Sequence, residues 1–137
     1  MSTETTIERF ETVLDDARKC AALTSVIRDQ LGGPVIEHRE GELIHLSSAI
    51  ANRIYSFFWE DTALSSRASS EACGLSGKLK AVIEVVVDIN ARIPFVACKA
   101  EVDRLVTRVG WLQNAAGDLA EELVGLLEEI RAEEVIA

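Results

Sequence analysis

FVACKAEVDRLVTRVGWLQNAAGDLAEELVGLLEEI, residues 95–130, is the stretch that decides the fold. Alternating steps of three and four pick out Phe95, Cys98, Val102, Leu105, Val109, Leu112, Ala116, Leu119, Leu123, Leu126 and Ile130, all of them apolar. An α-helix lines such residues up on one stripe. A heptad repeat sustained over this length specifies a helix and not a strand. The helix is expected over about 95–131, on the order of 54 Å long. Val106, Ala120 and Leu127 widen the stripe on one flank, interrupted by Gln113. That width suits a helix touching two neighbours in a bundle. Trp111, next to Gly110, points away from the stripe.

Working back from this helix, Ile93-Pro94 marks a break. Proline restricts the residue before it to extended conformations and suits the first turn of a new helix. The apolar phase also jumps here, so a tight αα-hairpin is expected. Its first arm carries Leu75, Leu79, Val82, Val86, Ile89 and Ile93, again at heptad spacing. That repeat overrides the strand propensity of the valine-rich run at 82–87. The serines at 65–70 with Gly74 and Gly77 read as a breaker or a weak helix opening.

Towards the N-terminus, a helix is expected over about 5–31. Its stripe is Ile7, Phe10, Leu14, Ala17, Cys20 or Ala21, Leu23, Ile27 and Leu31. Thr5 with Glu8 fits a capping box, and Gly32-Gly33-Pro34 ends the helix. Residues 35–46 leave two readings open, a small hairpin around Arg39-Glu40-Gly41 or the opening turns of the next helix. Helix is favoured, because an isolated hairpin is marginal in water while one helical glycine costs only about 1 kcal/mol. Beyond 47 the helix is clearer, with Ile50, Ile54 and Phe57 on one face. Tyr55, Phe57, Phe58 and Trp59 cannot all share that face. The expected fold is therefore all-α, a single domain over 1–137 built as an antiparallel four-helix bundle with long helices.

Composition narrows the function. Of 137 residues, 48% are apolar, enough for a globular core, and the net charge of −9 disfavours nucleic acid and anionic membranes. No apolar run approaches the ~20 residues of a membrane span. The acidic, polar N-terminus is unlike a secretory signal. Cys20, Cys73 and Cys98 are odd in number and widely spaced, which fits a reduced, cytoplasmic protein. Cys98 is expected on the seam of the last helix, and Cys73 is the cysteine expected to be exposed.

No catalytic, metal or cofactor site is expected. Cys20, Cys73 and Cys98 have no identifiable general base, and both histidines, His38 and His45, lie in one segment. Glu42 and His45 form one Glu-x-x-His element, whereas di-iron bundles need two plus further glutamates. His45 followed by Leu46, Ser47 and Ser48 resembles the phosphate-accepting run of histidine phosphotransfer bundles. It lacks the basic residue that would balance the phosphate, and Glu42 would repel it. A bundle with an internal apolar pocket near Ala115, Ala116 and Ala120 is a second alternative.

The reading that remains is a non-catalytic, protein-binding helical module, self-associating as a homodimer and acting as a small acidic adaptor, inhibitor or chaperone. Between Asp118 and Glu134 there are seven acids and one base, Arg131. The expected contact residues are Trp111, Asp118, Glu121, Glu122, Glu128 and Glu129 on the last helix, with Trp59 and Phe58 on the second.

Overall fold

The computed structural model describes residues 6–30, 38–60 and 66–132. They form α1 (Thr6–Gln30), α2 (His38–Glu60), α3 (Ser66–Arg92) and α4 (Lys99–Ile130), with one 3₁₀ turn, Ile93–Phe95, before α4. There is no strand among them. The packing runs α1 on α2, α2 on α3, α3 on α4, and α4 back on α1. The fold is an all-α antiparallel four-helix bundle, with each helix between two neighbours.

Two elements begin where the sequence left room for something else. His38 to Leu46 is helix, not hairpin. Glu40, Ile44, Ser47 and Ile50 recur at steps of four and three and are all buried, which places them on one inward face of a helix. Gly41 fits because a Cβ there would come within 3.3 Å of the Asn90 amide nitrogen on α3. On α3, the stretch 66–77 is helical throughout, glycines included. Gly77 sits where the Tyr55 ring approaches to 3.2 Å of a would-be Cβ. Thr5, Leu31, Gly32-Gly33-Pro34 and residues 35–37 lie outside the described residues, and with them the expected capping box and helix stop.

The α3–α4 hairpin at Pro94 is present, but α4 starts later than the heptad implies. The 3₁₀ turn closes with the Val96 N–H donating to the Ile93 carbonyl at 3.2 Å. Residues 96–98 then run extended, and Cys98 is the residue before the first helical turn. Phe95 is consequently 89% exposed, and Cys98 is exposed as well, so neither belongs to the seam. The residues needed to reverse the chain take these four positions from the helix. Cys73 is half-buried and Cys20 is buried.

The buried stripe of α4 is also rotated from the expected one. Val109, Ala116, Leu123 and Ile130 are buried as the heptad predicts. Their partners are Val106, Ala120 and Leu127, the residues read as a flank, together with Gln113, read as the break in it. Leu112, Leu119 and Leu126 are half-buried. A helix wedged between two neighbours turns the bisector of its apolar arc inward, and the arc here is wide enough to choose.

The core falls into two parts. Eighteen buried residues form the larger cluster, including Phe10, Leu14, Ile54, Phe57, Leu79, Leu123 and Leu127. Six form the smaller one beside the α3–α4 hairpin: Ile27, Ile44, Val86, Ile89, Leu105 and Val109. In three helices the residue between the two clusters is polar and fully buried: Thr24, Ser47 and Gln113. Thr24 donates to the Cys20 and Ala21 carbonyls, and Ser47 to the Ile44 carbonyl. Among the described residues, neither end of the Gln113 amide has a hydrogen-bond partner.

Candidate interaction surface

The outward side of α4 is a second heptad row. Arg104, Arg108, Trp111, Ala115, Asp118, Glu122, Gly125 and Glu129 follow one another at steps of four and three, and all are exposed. They lie about half a turn from Gln113, Ala116 and Ala120, which face the core. The sequence makes this row straight because its spacing repeats that of the buried stripe. Its chemistry divides in the middle. Arg104 and Arg108 make the N-terminal part basic, while Asp118, Glu122 and Glu129 make the C-terminal part acidic. Trp111 stands between them with 71% of its surface exposed. An indole held in water on a regular helix gains nothing for folding, since apolar surface stabilises only when it is covered.

Few of these charges are engaged. Arg104 bonds Glu101 one turn back on its own helix, and this contact holds the already high pKa of Arg104 higher still. Among the described residues, no ion pair engages Arg108, Asp118, Glu121, Glu122 or Glu129. Glu128 is different. It points to the α1 side, where Arg18 reaches it at 3.3 Å, so it helps tie α1 to α4. Arg131 makes a similar tie to Glu11 at 2.8 Å.

The expected contact residues therefore separate. Trp111, Asp118, Glu121, Glu122 and Glu129 are exposed on α4. Trp59, 66% exposed at the end of α2, stands edge-on to Tyr55 with ring centroids 6.0 Å apart. Phe58 is only 5% exposed and packs edge-to-face on Phe57 in the larger core cluster, so no partner can reach it. Aromatics at four of the five positions 55–59 must spread around a helix, and positions 57 and 58 fall on the inward arc. Ala115 is exposed while Ala116 and Ala120 are fully buried in close packing, so the three do not line one internal pocket.

Two of the open grooves on the bundle are lined by described residues. One, of about 570 Å³, runs between α3 and α4 and is lined by Glu71, Leu75, Lys78, Glu122, Leu126 and Glu129. It joins the acidic end of the α4 row to an apolar floor. The other, of about 420 Å³, lies between α1 and α2 around Arg9, Asn52, Phe57 and an ion pair. In that pair, Arg53 donates to both carboxylate oxygens of Asp16, at 2.9 and 3.2 Å. The Asp16 side chain is 7% exposed and that of Arg53 is 58%, so the arginine keeps one side in water. The bond to Asp16, and then its charge, raises the Arg53 pKa further above its ordinary value. Burial, with the neighbouring charge of Asp16, pushes the Cys20 thiol up to about 12, so it is a neutral packing group near pH 7.

His45 is exposed on α2. Among the described residues no group of three or more His, Cys, Asp or Glu side chains could hold a metal ion. No described helix is long and apolar enough to cross a membrane. Sequence reasoning named the acidic half of the α4 row but not its basic half. Arg104 and Arg108 carried a readable signal, since they sit at the same heptad spacing as Trp111 and Glu122. Asp16 and Arg53 carried none, because 37 residues separate them in the chain.

No protein-family model, curated protein or solved structure matches the chain.

Proposed function

We propose that this protein is a non-catalytic helical module that binds other proteins, itself included, and acts as a small acidic adaptor, inhibitor or chaperone. The observation that carries this reading is the exposed Trp111 at the middle of a regular 32-residue helix, between a basic and an acidic half-row. Tryptophan and arginine are the side chains that most often dominate binding energy when a partner covers them. The α3–α4 groove supports the same reading, with Leu75 and Leu126 in a setting of mostly acidic residues. Such a groove suits the apolar face of a helix whose flanks are basic.

Sedimentation velocity on the full chain, from sub-micromolar to high-micromolar concentration, tests self-association. A sedimentation coefficient that rises with concentration towards that of a dimer is the expected result. A monomer across the whole range counts against it. For a foreign partner, Glu122→Gln with Glu129→Gln should weaken binding of a basic amphipathic peptide, and unchanged affinity rejects the acidic groove as its seat.

A further inference from the structure

We infer that the outward face of α4 is an antiparallel two-fold interface with a second copy of this chain, an inference that rests on the self-association reading above and names its surface. The row Arg104, Arg108, Trp111, Ala115, Asp118 and Glu122 is self-complementary. Turning it end for end about the level of Gln113 brings Arg104 opposite Glu122, Arg108 opposite Asp118, and Trp111 opposite Ala115. Each of these pairs is equally spaced about residue 113. A two-fold axis applies every contact twice, so four arginine–carboxylate pairs would surround two indole–alanine contacts. The large ring meets the smallest side chain of the row, as a knob meets a hole. Glu101, which holds Arg104 within its own helix, falls opposite Gly125, where no side chain competes for space.

Charge fixes the direction of this pairing. In a parallel arrangement Arg104 and Arg108 would meet their own copies, as would Asp118 and Glu122, and like charges at that range repel. The antiparallel arrangement replaces each repulsion with an attraction. The 4-3 spacing keeps the row in contact over about 27 Å of helix. A contact of that length lies at the small end of specific interfaces, so the dimer is of micromolar strength and exchanges with monomer.

The experiment is charge reversal with complementation, read by sedimentation velocity on the full chain with circular dichroism as a check of folding. One variant carries Arg104→Glu and Arg108→Glu; the other carries Asp118→Arg and Glu122→Arg. Each alone should dimerise on the order of a hundredfold more weakly than the parent, because every cross-axis pair becomes like-charged. Mixed in equal amounts, they should form a heterodimer, since all four pairs are again opposite in sign. In a Trp59→Phe background, the emission of Trp111 should shift to the blue as the parent concentration rises. Trp111→Ala, which changes no charge, should also weaken the dimer about tenfold or more.

A parent chain that stays monomeric at every concentration overturns self-association and this interface together. A parent dimer that survives both charge reversals and Trp111→Ala overturns only the face, and places self-association elsewhere. Dimers lost in both variants but not recovered on mixing overturn the antiparallel register.

Discussion

Gln113, like Glu40, is a buried polar residue with an unpartnered side-chain atom. It is fully enclosed between two apolar clusters, and neither end of its amide finds a partner among the described residues. An unpaired buried amide costs the fold its desolvation, typically 1–3 kcal/mol. Leucine has nearly the same volume and no such cost. Gln113→Leu is therefore expected to stabilise the bundle by roughly 1–3 kcal/mol in urea denaturation. A loss of stability would mean that the amide is satisfied by water in solution. Cys20 makes a separate prediction. Its thiol is raised from 9.0 to about 12 in the folded chain. Between those values the unfolded chain has lost this proton and the native chain keeps it. The contribution is thus complete below pH 9 and falls as pH rises towards 12, by a few kcal/mol in all. The alkaline slope of stability should be shallower in Cys20→Ala than in the parent, whatever the absolute stability of the variant. Equal slopes would show that Cys20 does not carry it.

At the scale of the helix, glycines separate propensity from packing. None of the described glycines adopts a positive φ, so no left-handed turn requires them. A Cβ at Gly74 or Gly110 would meet nothing within 4 Å. Alanine there is expected to stabilise by about 1 kcal/mol each, the ordinary gain for glycine in a helix interior. At Gly77 the same change places a Cβ 3.2 Å from the Tyr55 ring, which also stacks under Lys80. Gly77→Ala should gain much less than Gly110→Ala, or lose stability, in thermal denaturation. Equal gains at 77 and 110 would show that Tyr55 yields freely. The stretch with Gly74 and Gly77 is helical although it looks like a breaker in sequence. The cost per glycine is small, and burial of Ala72, Ser76 and Leu79 on the next turns outweighs it.

Across the whole molecule the two core clusters are unequal, eighteen buried residues against six, with polar side chains between them on three helices. Less apolar burial means cheaper local opening. Native-state hydrogen exchange should therefore find the end around Ile27, Ile44, Ile89 and Leu105 opening at lower free energy than the end around Leu14, Ile54, Leu79 and Leu123. A single common opening energy for both ends would show that the polar boundary does not divide the bundle. The charge of the molecule is similarly uneven. Arg18–Glu128 and Arg131–Glu11 spend part of the acidic end of α4 on holding α1. The outward row is left for other contacts.

The four helices, their order and the hairpin at Pro94 were legible because each rests on local periodicity or on backbone stereochemistry. The 11-residue apolar series sufficed to place α4 and to separate it from α3. Its ends and its rotation were not legible. Phe95 and Cys98 continue the heptad in sequence, yet the chain must turn there, and the turn excludes them from the helix. Whether Leu112 or Gln113 faces inward depends on where α1 and α3 stand, which no single helix encodes. The same holds for Phe58 and Trp59, neighbours in sequence, one in the core and the other in water. Sequence alone thus determined which residues can share a face. Only the tertiary arrangement decided which of the permitted faces turned inward, because that choice minimises exposed apolar surface summed over all four helices, and left the row around Trp111 outside.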